Sequence, residues 1–145
     1  EQEMQMLQTA VVHINRLKPK FVIVSGNLIN DLAQKTGNRR IEKAEAHIAN
    51  FKSIMSKVDP QIPLVCLCGN HDIGDLPNRA SIEFYKSRFG DDYFEFWAGG
   101  SHCIVINSSL VSSFTNDVDA ASDDTQKLVD EHFEWLEGVL PDEVF

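Results

Sequence analysis

A layered α/β domain with a mainly parallel sheet is predicted by three features of the 145-residue sequence. Helical and strand-like periodicities alternate along it. Two short apolar runs, at 21–24 and 64–68, each sit between helical stripes, which implies βαβ crossovers and a sheet covered on both faces. Hydrophobic residues make up 43% of the chain and charged residues 24%, the balance of a globular protein. On a scale of roughly 100 to 200 residues per domain, residues 1–145 read as a single domain.

The elements follow in order. Met4, Leu7, Val11 and Ile14 recur at three- and four-residue spacing, a first helix that Lys18-Pro19 stops. Residues 21–24 form a β-branched and aromatic strand closed by Ser25-Gly26. Ile41, Ala44, Ile48, Phe51, Met55 and Val58 hold a second helical stripe until Asp59-Pro60, and 64–68 is a second buried strand. Ile82, Tyr85 and Phe89 mark a third helix, with Gly90 placed as its C-cap. Residues 93–98 and 102–107 flank Gly99-Gly100, which suits a two-residue hairpin turn. A polar segment, 108–122, is expected to be a mobile loop. A last helix follows Ser122, with Asp123 and Asp124 complementing its N-terminus and Val129, Phe133, Leu136 and Leu140 as its stripe before Pro141.

Lys and Arg number 13 against 22 Asp and Glu, a net charge of −9. Nucleic acid and anionic membranes are therefore not expected partners, since both need basic patches. No apolar run approaches the ~20 residues of a membrane span. Three cysteines, Cys66, Cys68 and Cys103, make an odd set without a Cys-x-x-Cys, which points to a reduced, cytoplasmic protein with buried structural thiols.

Open α/β sheets bind ligands at the carboxyl ends of their strands. Two strands end alike, in Gly26-Asn27 and Gly69-Asn70, so Asn27 and Asn70 converge on one crevice if the strands are neighbours. The second run continues as His71-Asp72. Asn offers an amide oxygen to a metal, His a group that titrates near neutrality, and Asp a partner for the imidazole. Ordinary Gly-Asn turns are the competing explanation of the first pair.

Gly69-Asn70-His71-Asp72 resembles the Gly-Asn-His-(Asp/Glu) signature of the calcineurin-like metallophosphoesterases. The segment from Ser25 to Asp31 is similar to that family's Gly-Asp motif. Ile62-Pro63-Leu64-Val65, Ile73-Gly74 and the run from Gly90 to Trp97 resemble one subgroup, its serine/threonine phosphatases. The resemblance runs from about Phe21 through the last helix. It implies an α/β/β/α-type core with a parallel sheet, flanking helices and a β-hairpin, and hydrolysis of a phosphomonoester by a hydroxide between two divalent cations (Mn, Fe, Zn or Mg). It also implies that Asn70 is a metal ligand that contacts the phosphate and that His71 binds substrate and protonates the leaving alkoxide. Asp72 would orient His71, and position 27 would bridge the metals. The substrate would be a phosphorylated protein or a small phosphoester.

Three departures accompany the resemblance. Position 27 is Asn where the family has Asp, with Asn30 and Asp31 nearby but not at the bridging position. The family's opening Asp-x-His strand and its closing Gly-His-x-His are not found in the sequence. His13, His47, His102 and His132 fall in settings that suit structural roles. The expectation is a central part of a larger domain, inactive alone, binding metal poorly and self-associating through exposed edges. The alternative is a non-catalytic pseudo-phosphatase scaffold that binds protein through a face carrying Tyr93 and Trp97. A dinucleotide or Walker-type site is excluded by the lack of a Gly-x-Gly-x-x-Gly or P-loop run.

Overall fold

The computed structural model describes residues 2–29, 38–116 and 123–140. Helix α1 (Gln2–Leu17) leads into β1 (Val22–Ser25), α2 (Asn38–Met55) and β2 (Leu64–Leu67). A single helical turn, α3 (Asn70–Ile73), precedes α4 (Arg79–Phe89). The hairpin strands β3 (Phe94–Ala98) and β4 (Ser101–Val105) follow, then α5 (Ser108–Asn116) and α6 (Asp123–Val139). The α/β class predicted from the sequence is the class observed, with helices interleaved between strands. No described helix is long and apolar enough to cross a membrane.

β1 and β2 pair in parallel with Val22 opposite Leu64 and Ser25 opposite Leu67. This is the βαβ unit expected, with α2 as its crossover. The apolar stripes of α1 and α2 close over one face of the pair. Val11, Ile54, Met55, Val58 and Ile62 are buried there, with Val22 and Val24 packed against them. A β-strand points alternate residues to opposite faces, so Ile23 faces the other way. Ile23 is 47% exposed and Leu64 37% exposed. The expectation of strands buried on both faces is therefore corrected for the described residues.

The hairpin forms where Gly99-Gly100 placed it. Both glycines have positive φ, 61° and 87°, as the tight turn requires. β3 and β4 pair antiparallel with Trp97 opposite His102. Among the described residues the hairpin is a separate two-stranded sheet rather than an added strand on the parallel pair. Phe21 and Phe96 meet edge to face across the gap, with ring centroids 5.6 Å apart.

The segment from Ser108 to Asn116 is a helix, not the mobile loop expected. Its first turn is capped: Leu110 N–H donates to the Asn107 carbonyl at 3.1 Å and Ser109 N–H to Asn107 Oδ1 at 3.1 Å. Leu110 is fully buried with Ile82, Leu128 and Val129, so packing against α4 and α6 overrides the polar composition. The remainder of that segment, 117–122, lies outside the described residues, as do Asn30, Asp31 and Pro141. The third helix ends as expected, with Gly90 N–H donating to Lys86 O at 3.2 Å.

Candidate functional site

The register of β1 and β2 ends both strands at the same edge, and Gly26 and Gly69 make the junction possible. A Cβ on Gly26 would lie 2.8 Å from Gly69 N, and one on Gly69 would lie 2.3 Å from Asn27 Oδ1. Only glycine permits that approach, and Gly26 also has a φ of 85°. Asn27 and Asn70 therefore follow strand ends at the same edge of the parallel pair, where Asn27 Oδ1 faces the His71 N–H and Asn70 turns to Asp75. Asn27 itself lies in the left-handed region with φ 53°, a conformation that Asn tolerates better than most residues.

Asn70, His71 and Asp72 sit on the single helical turn α3, within the segment that leaves the end of β2. Asp72 N–H and Ile73 N–H donate to Gly69 O at 2.9 and 3.2 Å. Gly69 N–H donates back to Asp72 Oδ2 at 2.8 Å, so the carboxylate closes the first turn upon itself. Its other oxygen, Oδ1, accepts from Ile29 N–H at 2.8 Å, 43 residues earlier in the chain. Asp72 is 1% exposed. Burial raises its pKa above the ordinary Asp value, while the backbone donors of Gly69, Ile29, Asn27 and Leu28 pull the other way. Both carboxylate oxygens are thus engaged by backbone N–H groups, and Asp72 fixes the segment that carries His71.

Asn70 and His71 are exposed at the surface of this turn. Asn70 Nδ2 donates to Asp75 Oδ1 at 2.8 Å, which leaves its amide oxygen as the end turned away from that contact. Asp75 was not singled out in the sequence; its place five residues after Asn70 was the available signal. His71 N–H points at Asn27 Oδ1 at 3.4 Å. These groups can present a hydrogen-bonding and proton-donating edge to an anionic ligand.

They do not make a metal centre. Among the described residues no group of three or more His, Cys, Asp and Glu is placed to hold a metal ion. Asn27 and Asn70 offer neutral amide oxygens only, and that of Asn27 faces a backbone donor. A pair of dications held close together needs several anionic or imidazole ligands, so the donor set described here does not fit one.

The remaining candidates separate by position. His132 on α6 is fully buried, in keeping with its place between Leu128 and Trp135. Its Nε2 accepts from Asn107 N–H at 3.2 Å, and Asn107 Nδ2 donates to Asp92 Oδ2 at 2.8 Å. His102 lies against Glu95, with Nε2 2.6 Å from Oε2, and stacks on Trp97 at 4.7 Å. His13 Nδ1 accepts from Arg16 at 3.2 Å, and His47 is exposed on α2. The surface predicted to carry both Tyr93 and Trp97 is corrected. Trp97 is 70% exposed, whereas Tyr93 turns inward and packs edge to face on His132 at 4.8 Å. Tyr93 precedes β3, so strand alternation does not govern it.

Cys66, Cys68 and Cys103 are free and only half-buried, which corrects the expectation of buried thiols. Burial nonetheless pushes the Cys66 thiol up and that of Cys68 to about 12, with Asp92 and Asp72 adding to the latter. Neither is a thiolate near neutral pH, which fits the absence of a catalytic part for them in the sequence reading.

Comparison with known proteins finds relatives along nearly the whole chain. It is 34% identical over 142 residues to serine/threonine-protein phosphatase CPPED1 of Danio rerio, covering 97% of this chain and 41% of that protein. The Bos taurus protein of the same name is 34% identical over 142 residues, with the same coverage of 97% and 41%. That of Homo sapiens is 42% identical over 112 residues, 76% of this chain and 34% of the human protein. The chain therefore spans about two fifths of the length of the curated relatives it matches. No family model matches it. No solved structure matches it either.

Proposed function

We propose, on the premise that this chain is a homologue of the calcineurin-like phosphoesterases, that it engages a phosphomonoester through the Asn70–His71 turn at the ends of β1 and β2. The observation that carries this reading is the presentation of the turn. Asn70 and His71 face solvent beside a glycine junction, on backbone that the buried Asp72 carboxylate pins to both loops. An anion meeting this edge finds the Asn70 amide and the His71 imidazole. In the roles that the family implies, Asn70 contacts the phosphate and His71 delivers a proton to the leaving alkoxide. Asp72 acts through the backbone as a positioning residue. The names of the relatives suggest phosphoserine or phosphothreonine in a protein as the substrate, and a small phosphoester carries the same chemistry. The reading places the protein in a reducing, cytoplasmic setting, in line with its three free thiols.

Hydrolysis is not assigned to these 145 residues acting alone, because their described donors do not fit the paired cations that would supply the attacking hydroxide. A second reading, a non-catalytic scaffold built on the same fold, draws support from Asn27, whose neutral amide replaces a bridging carboxylate. The 145-residue chain is expected to give negligible turnover of p-nitrophenyl phosphate with added Mn²⁺. Robust turnover that disappears in His71→Ala would show a complete catalytic set and overturn this assignment.

A further inference from the structure

The two strand-end loops hold each other by a reciprocal exchange. Asn27, on the first loop, offers Oδ1 to the His71 N–H on the second at 3.4 Å. Asp72, on the second, takes the Ile29 N–H of the first through Oδ1 at 2.8 Å and closes its own turn through Oδ2 on Gly69 N–H at 2.8 Å. Each loop thus supplies a side-chain acceptor to the other loop's backbone. Gly26 and Gly69 allow the approach, since a Cβ on either would meet backbone or the Asn27 amide at under 3 Å. The left-handed backbone of Asn27, φ 53°, turns its short side chain across the junction.

We propose that Asn27 and Asp72 form a hydrogen-bonded latch that assembles the candidate site without a cation at position 27. This rests on the family reading only in placing position 27 within the site. The chemistry of the side chain favours it. An amide brings no charge to attract a cation, whereas a carboxylate at position 27 would add a second negative charge beside the buried Asp72. Asn therefore suits a cation-free junction, and Asp does not. The latch keeps Asn70 and His71 in their exposed orientation before any ligand arrives.

The test is thermal melting of the 145-residue chain with EDTA and with millimolar MnCl₂, together with hydrogen exchange at the His71 amide read by NMR. The wild type is expected to melt at the same temperature in both solutions. Asn27→Gly, which keeps the left-handed backbone and removes the amide, is expected to speed His71 exchange by about fivefold, the factor of one hydrogen bond of ordinary net strength. Asn27→Asp, which retains an acceptor, is expected to lower the melting temperature in EDTA through its added charge. A wild-type melting temperature that rises with Mn²⁺ and loses that rise in Asn27→Gly would make position 27 a metal ligand and overturn the proposal. Unchanged His71 exchange in Asn27→Gly would also overturn it. These measurements contain no phosphoester, so their failure leaves the Asn70–His71 contact standing, and failure of that contact leaves the latch standing.

Discussion

Among individual residues, His132 shows how a buried polar group is held in one protonation state. Asn107 N–H donates to its Nε2, so that nitrogen must be unprotonated and the proton of the neutral ring resides on Nδ1. Nδ1 finds no partner among the described residues, as does the buried hydroxyl of Tyr85. Burial lowers the His132 pKa below 6.5, and Asp92 opposes that shift only in part. The unfolded chain then binds more protons than the folded one as pH falls below about 6.5, the ordinary His value. The stability tied to neutral His132 is present above that pH and lost as pH falls towards the depressed folded value. Chemical denaturation between pH 8 and 5 is expected to show this decline, approaching ~1.4 kcal/mol per pH unit at most for one proton. His132→Gln, which keeps an acceptor near the Asn107 N–H, is expected to flatten it; an identical decline in that variant would assign the effect elsewhere. The burial of His132 was legible in its apolar flanks. The bonds of Asp72 were not, because its partner Ile29 lies 43 positions away and donates from the backbone, which carries no side-chain signature.

At the scale of elements, the strands and most helices could be read because periodicity and Gly or Pro punctuation agree there. Gly26, Gly69, Gly90 and Gly99-Gly100 each stand where a strand or helix stops or turns. α5 escaped because its Ser-rich composition resembles a loop, and its stability comes from outside itself. Asn107 caps it while also tying to Asp92 and His132, and Leu110 fills the space between α4 and α6. Leu110→Ala is expected to cost about 2–5 kcal/mol, the usual range for a fully buried Leu whose neighbours relax only partly. Urea denaturation measures it, and a loss under about 0.5 kcal/mol, the scale of surface substitutions, would show that α5 does not depend on this contact. The two-sided burial expected of β1 and β2 was not observed because no described layer covers Ile23, while Leu64, opposite Val22, lies at the margin of the covered face. One helical layer, α1 and α2, covers the other face among the described residues.

For the molecule as a whole, the candidate site lies where the α/β class places ligands, at the carboxyl edge of the parallel pair. Its legibility was uneven for a physical reason. Motif residues announce which chemical groups are present, whereas the acceptor each group faces depends on how closely two glycine-ended strands approach. The net charge of −9 gives no general attraction for a phosphorylated ligand, so any affinity must arise locally, from the Asn70 amide, the His71 imidazole and the backbone that holds them. The contact proposed for this turn is with a phosphomonoester. The direct measurement is a titration of the isotope-labelled chain with phosphoserine, with serine as control, read from the backbone amide shifts. Contact at this turn predicts saturable shifts centred on Asn70 and His71, absent with serine and weakened in His71→Ala. Shifts centred elsewhere, or equal responses to serine and phosphoserine, would contradict it.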